Sequence, residues 1–212
     1  MLFRSRQIGT LAAFTRSAST EFPEETVAAL ERLALRAGPA LDNAHRFVQA
    51  RLLADIDSLT GLQNRRCFHE LLAREVARAN RYERRLALIV FDIDDFKAIN
   101  DRVGHLSGDV ALAEVAQRVR AVVRSADIAC RVGGDEFGVI MPESGLADAE
   151  LLANRVARTV SEQPLGQGDT LHMSAGVAEL KAADDANELF VRADQALYQA
   201  KQAGKDRTVA AG

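Results

Sequence analysis

Arg131-Val132-Gly133-Gly134-Asp135-Glu136-Phe137-Gly138 sets two adjacent glycines and two adjacent carboxylates between a short run at 128–132 and the apolar run Val139-Ile140-Met141. Two extended segments joined so tightly read as a hairpin with acids at its tip. Glycine at such a tip supplies the positive φ of a tight turn and lets a ligand approach the backbone. Acids crowded on a rigid turn repel one another unless a cation lies between them. The stretch alone is thus either a solvated acidic turn or half of a cation site.

Upstream, residues 86–93 are apolar at odd and even positions alike, the pattern of a central strand covered on both faces. The run ends in Asp92-Ile93-Asp94-Asp95, and alternation puts Asp92 and Asp94 on one face. Carboxylates there are costly unless solvated, paired or bound to metal. Residues 96–103 read as a short helical or irregular segment, 104–109 as a turn, and 110–123 as a helix with the stripe Leu112, Val115, Ala116, Val119 and Val122. Downstream, a helix is predicted over 146–160, a strand over 171–177, a final helix over 189–203 capped at Gly204, and a last strand over 208–211. That order predicts an α+β fold, an α/β sandwich whose mixed central sheet is flanked by helices.

With 212 residues, 48% hydrophobic and 27% charged, the chain can bury one sizeable core without staples and carry an appendage. A net charge of −3 excludes bulk attraction to a nucleic-acid backbone or an anionic membrane, so any phosphate must meet a few placed cations or metals. The longest unbroken apolar run, 86–91, is far short of the ~20 residues that span a bilayer. Cys67 and Cys130, distant in a chain without a secretory signal, read as buried thiols in a reducing compartment. The expectation is a cytoplasmic protein with neither nucleic-acid nor membrane partner. Arg4, Arg6 and Arg16, with no acid in the first twenty residues, share the composition of a transit peptide. Another reading of that segment suits it better.

Residues 8–14 form an apolar patch, read as a strand and followed by a polar turn at 17–20. Pro23-Glu24-Glu25 marks a helix start. From there Leu30, Ala34, Ala37, Leu41, Ala44 and Val48 recur at alternating spacings of four and three, a seam suited to a parallel helix pair or to a neighbouring domain. Gly38-Pro39 is expected to kink that helix. Phe22-Pro23-Glu24-Glu25 onward to Ala40-Leu41-Asp42-Asn43-Ala44 resembles the last strand and terminal helix of a GAF sensor domain. Some 50 residues are too few for a whole domain. Residues 1–56 are therefore expected to be a GAF-like remnant strand and a dimerising, signal-carrying helix, with residues 57–212 as the main domain.

The main domain carries a more specific resemblance. Asp57-Ser58-Leu59-Thr60-Gly61-Leu62-Gln63-Asn64-Arg65-Arg66, Asp92-Ile93-Asp94-Asp95-Phe96-Lys97-Ala98-Ile99-Asn100-Asp101, Gly104-His105 with Gly108-Asp109, and residues 133–137 resemble, in order and spacing, the signatures of GGDEF-type diguanylate cyclases. The match runs from about Asp57 to Arg207. It implies a fold like that of nucleotidyl cyclases and polymerase palms, and condensation of two GTP into cyclic di-GMP with release of pyrophosphate by a homodimer. It also implies a Mg²⁺ cofactor, or Mn²⁺ in its place, held by Asp92, Asp135 and the carbonyl of Ile93, since charge develops on phosphoryl oxygens in such chemistry. Glu136 is then the residue that helps deprotonate the 3′-hydroxyl or completes a second metal site.

By the same resemblance Asn100 and Asp109 read the guanine, Lys97, Lys201 and Lys205 meet the triphosphate, and Gly133 and Gly134 make room for it. Each has a plainer reading: helix cap or turn residue for Asn100 and Asp109, and helix-dipole partner for the last two lysines. Arg124-Ser125-Ala126-Asp127, five residues ahead of Gly133, has the spacing of the family's product-inhibition site, to which Arg155 would add a second arginine. The alternative there is an arginine at a helix end beside a capping Asp. The competing function is an inactive GGDEF domain acting as a receptor for cyclic di-GMP or GTP. Asp135 and Glu136, as neighbours on a strand, are expected on opposite faces with separate tasks.

Overall fold

The computed structural model describes residues 2–3, 6–7, 10–14, 22–162, 170–182 and 184–212, with side chains of 2–3, 6–7 and 46–54 outside that set. The chain divides into Met1–Ala54 and Asp55–Gly212. In the first unit, β1 (Leu2–Phe3) and β2 (Arg6–Gln7) pair antiparallel, and α1 spans Glu24–Ala54. Residues 10–14, expected in a strand, are irregular, and Phe14 is 91% exposed, so no partner ladder or apolar cover holds them extended. The turn expected at 17–20 lies outside the described residues, as does the side chain of Val48. Pro39 sits inside α1, which continues through it as one helix rather than breaking there.

In the second unit, α2 (Arg65–Tyr82) starts where Asn64 Oδ1 accepts from the Cys67 amide at 3.0 Å. It leads to β3 (Leu86–Ile93), buried at all eight positions as the pattern predicts. Next come α3 (Phe96–Val103), α4 (His105–Val122), the hairpin β4 (Ile128–Arg131) and β5 (Glu136–Pro142), and α5 (Leu146–Ser161). β6 (Met173–Glu179), α6 (Ala186–Gln202) and β7 (Thr208–Ala210) complete the chain. The sheet order is β4-β5-β3-β6-β7, with only β6 and β7 parallel, so the predicted mixed sheet is borne out.

Three element starts differ from expectation by two residues or more. The turn predicted at 104–109 is the start of α4, because Gly104, at φ +83°, makes the whole break between α3 and α4. β6 begins two residues later than predicted; its register is set by Asp92 opposite Ser174, and Leu171 is buried without being in the strand. α6 begins at Ala186 because Asp185 and Glu188 form a reciprocal capping box, 2.8 and 2.7 Å.

One sheet face buries Ala87, Ile89, Phe91 and Ile93 against α3, α4 and α5, and the other buries Leu86, Leu88 and Val90 against α2 and α6. Asp92 and Asp94 continue the second series, towards α6. Both cysteines are buried free thiols; burial pushes Cys130 up to about 12, and burial, then the Asp55 and Glu70 charges, pushes Cys67 upward. Neither should react with a thiol reagent at pH 8 in the native protein, and both should on denaturation. Stoichiometric labelling of the folded chain at Cys130 would contradict that packing.

Candidate active site

β3 delivers Asp92 to the edge of the buried face, where it is 8% exposed. It lies opposite Glu136 on β5 and Ser174 on β6. The Lys201 Nζ, from the last turn of α6, is 2.9 Å from Asp92 Oδ1. Burial nevertheless pushes the Asp92 carboxyl up to about 6, and the Asp135 and Glu136 charges add to that push while Lys201 opposes it. The negative charges of Asp135 and Glu136 therefore both act on Asp92 here. Asp135 is not in the strand: β5 begins at Glu136, and the Asp135 carbonyl accepts from the Ile93 amide at 3.3 Å. Strand alternation consequently does not divide the two acids, and both charges bear on Asp92.

The glycines of the tip work differently from the expectation of positive φ. The positive-φ glycines among the described residues are Gly61, Gly104 and Gly204. The turn instead closes with the Val132 and Gly133 amides both donating to the Glu136 carbonyl, at 2.8 and 3.1 Å. A Cβ at Gly133 would stand 2.3 Å from Glu136 Oε2, so that glycine leaves the space the carboxylate occupies. Around Gly134 nothing lies within 4 Å of an added Cβ, leaving its backbone open.

Arg131 clamps this turn. Its Nε and Nη2 donate to the Gly134 carbonyl at 3.1 and 2.7 Å, and Nη1 reaches Asp57 Oδ1 at 3.1 Å. Asp57 also accepts from the Thr60 amide and hydroxyl at 2.9 and 2.7 Å. Burial raises its pKa, but those hydrogen bonds and Arg131 outweigh it and hold the carboxyl below its ordinary value. The loop after α1 is thereby tied to the acidic turn.

Asp94, also 8% exposed, accepts from Ser174 Oγ at 2.7 Å and from the Asp206 amide at 3.0 Å. The solvated strand end considered for Asp92 and Asp94 is thus excluded. Lys205 Nζ lies 2.6 Å from Asp95 Oδ1, and this bond raises the lysine's pKa. Lys97 is exposed on α3. Asn100 Oδ1 is buried without a hydrogen-bond partner, and a Cβ at Gly108 would stand 1.7 Å from it. Gly108 thus makes room for the Asn100 amide, and Asp109, next in the chain, is exposed on α4.

Away from these groups, the Arg124 amide donates to Asp127 Oδ2 at 2.9 Å, the local turn that the plainer reading expects. Arg155 on α5 donates to the Val122 carbonyl at 2.6 Å, so it adjoins the end of α4 two residues before Arg124. Asp127 also lines a cleft of about 320 Å³ with Gly61, Gln63 and Arg120.

A family model described as diguanylate cyclase, GGDEF domain, matches residues 54–207. The chain belongs to the GGDEF diguanylate cyclase family. Diguanylate cyclase DgcP of Pseudomonas aeruginosa is 37% identical over 212 residues, covering 96% of this chain and 32% of DgcP. A protein named cyclic di-GMP phosphodiesterase NbdA, from the same species, is 37% identical over 169 residues, covering 78% of this chain and 21% of NbdA. The chain thus spans about a third of the one and about a fifth of the other. The crystal structure of the coiled coil and GGDEF domain of DgcB from Caulobacter crescentus, in complex with c-di-GMP, matches with a TM-score of 0.79 at 31% identity, covering 87% of this chain and all of that one.

Within this GGDEF domain, sequence reasoning missed the tasks of Arg131, of Asp94, and of Gly176, whose missing Cβ leaves room for the α6 backbone at Ala193 and Leu197. Arg131 stands two residues before the glycine pair, and Asp57-Ser58-Leu59-Thr60 has the look of a self-capping turn, so their pairing had a faint local signal. Asp94 and Gly176 had none, since their partners are distant in sequence: Ser174 and the Asp206 amide for the one, the α6 backbone for the other.

Proposed function

We propose that this chain is a diguanylate cyclase that condenses two GTP into cyclic di-GMP with release of two pyrophosphates, each protomer of a homodimer holding one GTP. The observation that carries it is Asp92, buried at a strand end, facing Asp135 and Glu136 and held up to about 6. Such an excess of negative charge suits a divalent cation. Among the described residues no three His, Cys, Asp or Glu side chains converge as a metal cage. Mg²⁺ fits that sparse donor set, because it is commonly held by one or two carboxylates together with substrate phosphates. Asp92, Asp135 and the Ile93 carbonyl would hold it, with Glu136 beside them, and when bound it would neutralise charge developing on the phosphoryl oxygens.

The chain's own groups perform the rest. Glu136, whose position Gly133 permits, accepts the proton of the attacking 3′-hydroxyl. Gly134 opens the backbone to the phosphates, and Lys201, Lys205 and Lys97 supply positive charge to them. The orphaned Asn100 carbonyl accepts a guanine N–H, and Asp109 accepts the N1 and amine protons together. Asp109→Ala is expected to weaken GTP binding at least tenfold with an unchanged melting temperature. GTP affinity equal to the parent's in that folded variant would remove the assignment.

Incubation of the purified chain with GTP and Mg²⁺, followed by analysis for the cyclic dinucleotide, tests the proposal. Binding of labelled cyclic di-GMP without turnover would favour the receptor reading, for which NbdA is a reminder that chains sharing this similarity carry different names. Arg124, Asp127 and Arg155 are proposed to hold product, since arginine meets guanine O6 and N7 bidentately. Arg124→Ala is expected to relieve inhibition by added cyclic di-GMP by about tenfold. An unchanged inhibition curve would withdraw the site. α1, whose seam residue Leu41 is 50% exposed, is proposed to pair with its copy, and its register to set the facing of the two sites. No helix among the described residues is long and apolar enough to cross a membrane.

A further inference from the structure

Lys201 lies on an acid here, not in open solvent awaiting phosphate. Its ammonium is 2.9 Å from Asp92 Oδ1, and the two side chains are 35% and 11% exposed. α6 brings it there because Gly176 lets the helix backbone settle directly on β6. Lys205 is engaged in the same way, on Asp95. Both lysines that the proposed function gives to the triphosphate therefore start out on carboxylates of the β3 end.

We propose that Lys201 is the resident counter-ion of Asp92, displaced when nucleotide arrives, so that divalent cation and GTP load together rather than cation first. The inference rests on Asp92 being a cation ligand. In the nucleotide-free protein, a cation approaching Asp92 must compete with an ammonium already bonded to the same oxygen. A triphosphate offers that ammonium a more highly charged partner, and the flexible four-carbon stem lets it move without disturbing the helix. Its departure frees Asp92, whose surroundings already carry the Asp135 and Glu136 charges, and this favours the incoming cation. By linkage the nucleotide then raises cation affinity and the cation raises nucleotide affinity by the same factor. Arginine at this position would keep the charge.

The test is Mn²⁺ binding to the full chain without nucleotide, read as loss of the free-ion electron paramagnetic resonance signal, with melting curves to show that each variant is folded. Lys201→Gln should bind Mn²⁺ about three- to tenfold more tightly than the parent, the range expected for release of one partly buried ion pair. Lys201→Arg should match the parent, and Lys205→Gln should change affinity by less than about twofold, its partner being Asp95. With a non-reacting α,β-methylene analogue of GTP present, the parent's Mn²⁺ affinity should rise and the advantage of Lys201→Gln should vanish. Equal or weaker Mn²⁺ binding by Lys201→Gln without nucleotide overturns the counter-ion role. Asp92→Asn separates the two levels: if it binds Mn²⁺ as the parent does, Asp92 is not the cation ligand and both fail. If it loses Mn²⁺ while Lys201→Gln is unchanged, only the exchange fails.

Discussion

Asp92→Asn is expected to abolish formation of cyclic di-GMP, by about 10³-fold or more, without unfolding the protein. Asparagine keeps the volume and an oxygen that can still accept from Lys201, so the strand end stays packed. What it removes is a charge placed where burial and two like charges disfavour it. The sign of the stability effect follows. The folded carboxyl titrates at about 6 against an ordinary 3.8, so its favourable contribution is fully present below 3.8 and is lost as pH rises through about 6. The variant has no such loss. Relative to the parent, Asp92→Asn should gain about 1–2 kcal/mol between pH 4 and pH 8, a figure reduced for solvent screening of a group at the surface edge. Melting curves at the two pH values and product analysis from GTP check both halves. A variant that retains a tenth of the parent's turnover would remove Asp92 from the chemistry; one that melts lower at pH 8 than at pH 4, relative to the parent, would show that the strand end is not charge-strained.

The main strands and their pairing were legible because they follow from period and punctuation. The continuous apolar run before Asp92 could only be a covered central strand, and the glycine pair between short runs could only be a tight connection. Candidates for the site could be named from sequence where they fall in a contiguous motif, as at Asp92, Asp135, Glu136, Asn100 and Asp109. It was not legible where a residue's task is set by register. Gly133 was expected to serve through φ, whereas its absent Cβ makes room for Glu136, a contact that exists only once the turn closes. Asp135 was assigned a strand face, but β5 starts one residue later. Asp94 reads as a twin of Asp92, yet Ser174 of β6 and the Asp206 amide in the loop before β7 absorb it, and both lie 80 or more residues away.

Gly176→Ala is expected to cost more stability than any other single-methyl insertion considered for this sheet. Gly176 lies in β6 between Val90 of β3 and Val209 of β7. A Cβ there would stand 2.0 Å from the Ala193 carbonyl oxygen and 2.2 Å from the Leu197 nitrogen. These are backbone atoms of α6, so no side-chain rotation relieves the overlap and the helix must lift from the sheet. Its buried face is built from Leu189, Ala193, Ala196, Leu197 and Ala200, and the three alanines fill the interface only at close range. Overpacking usually costs 1–3 kcal/mol and more where backbone must shift, so a loss of roughly 3 kcal/mol is expected, or about 10 °C in melting temperature for a domain of this size. Gly134→Ala provides the contrast, since nothing lies within 4 Å of its added Cβ and its φ is not positive; it should melt with the parent. Lifting α6 also moves Lys201, and the loop carrying Lys205, away from the β3 end where the phosphates are proposed to lie, so GTP affinity should fall even at temperatures where the variant remains folded. If Gly176→Ala lowered the melting temperature and left GTP affinity untouched, α6 would be a structural cover only, and the lysines at its end would owe their placement to the loop that follows it.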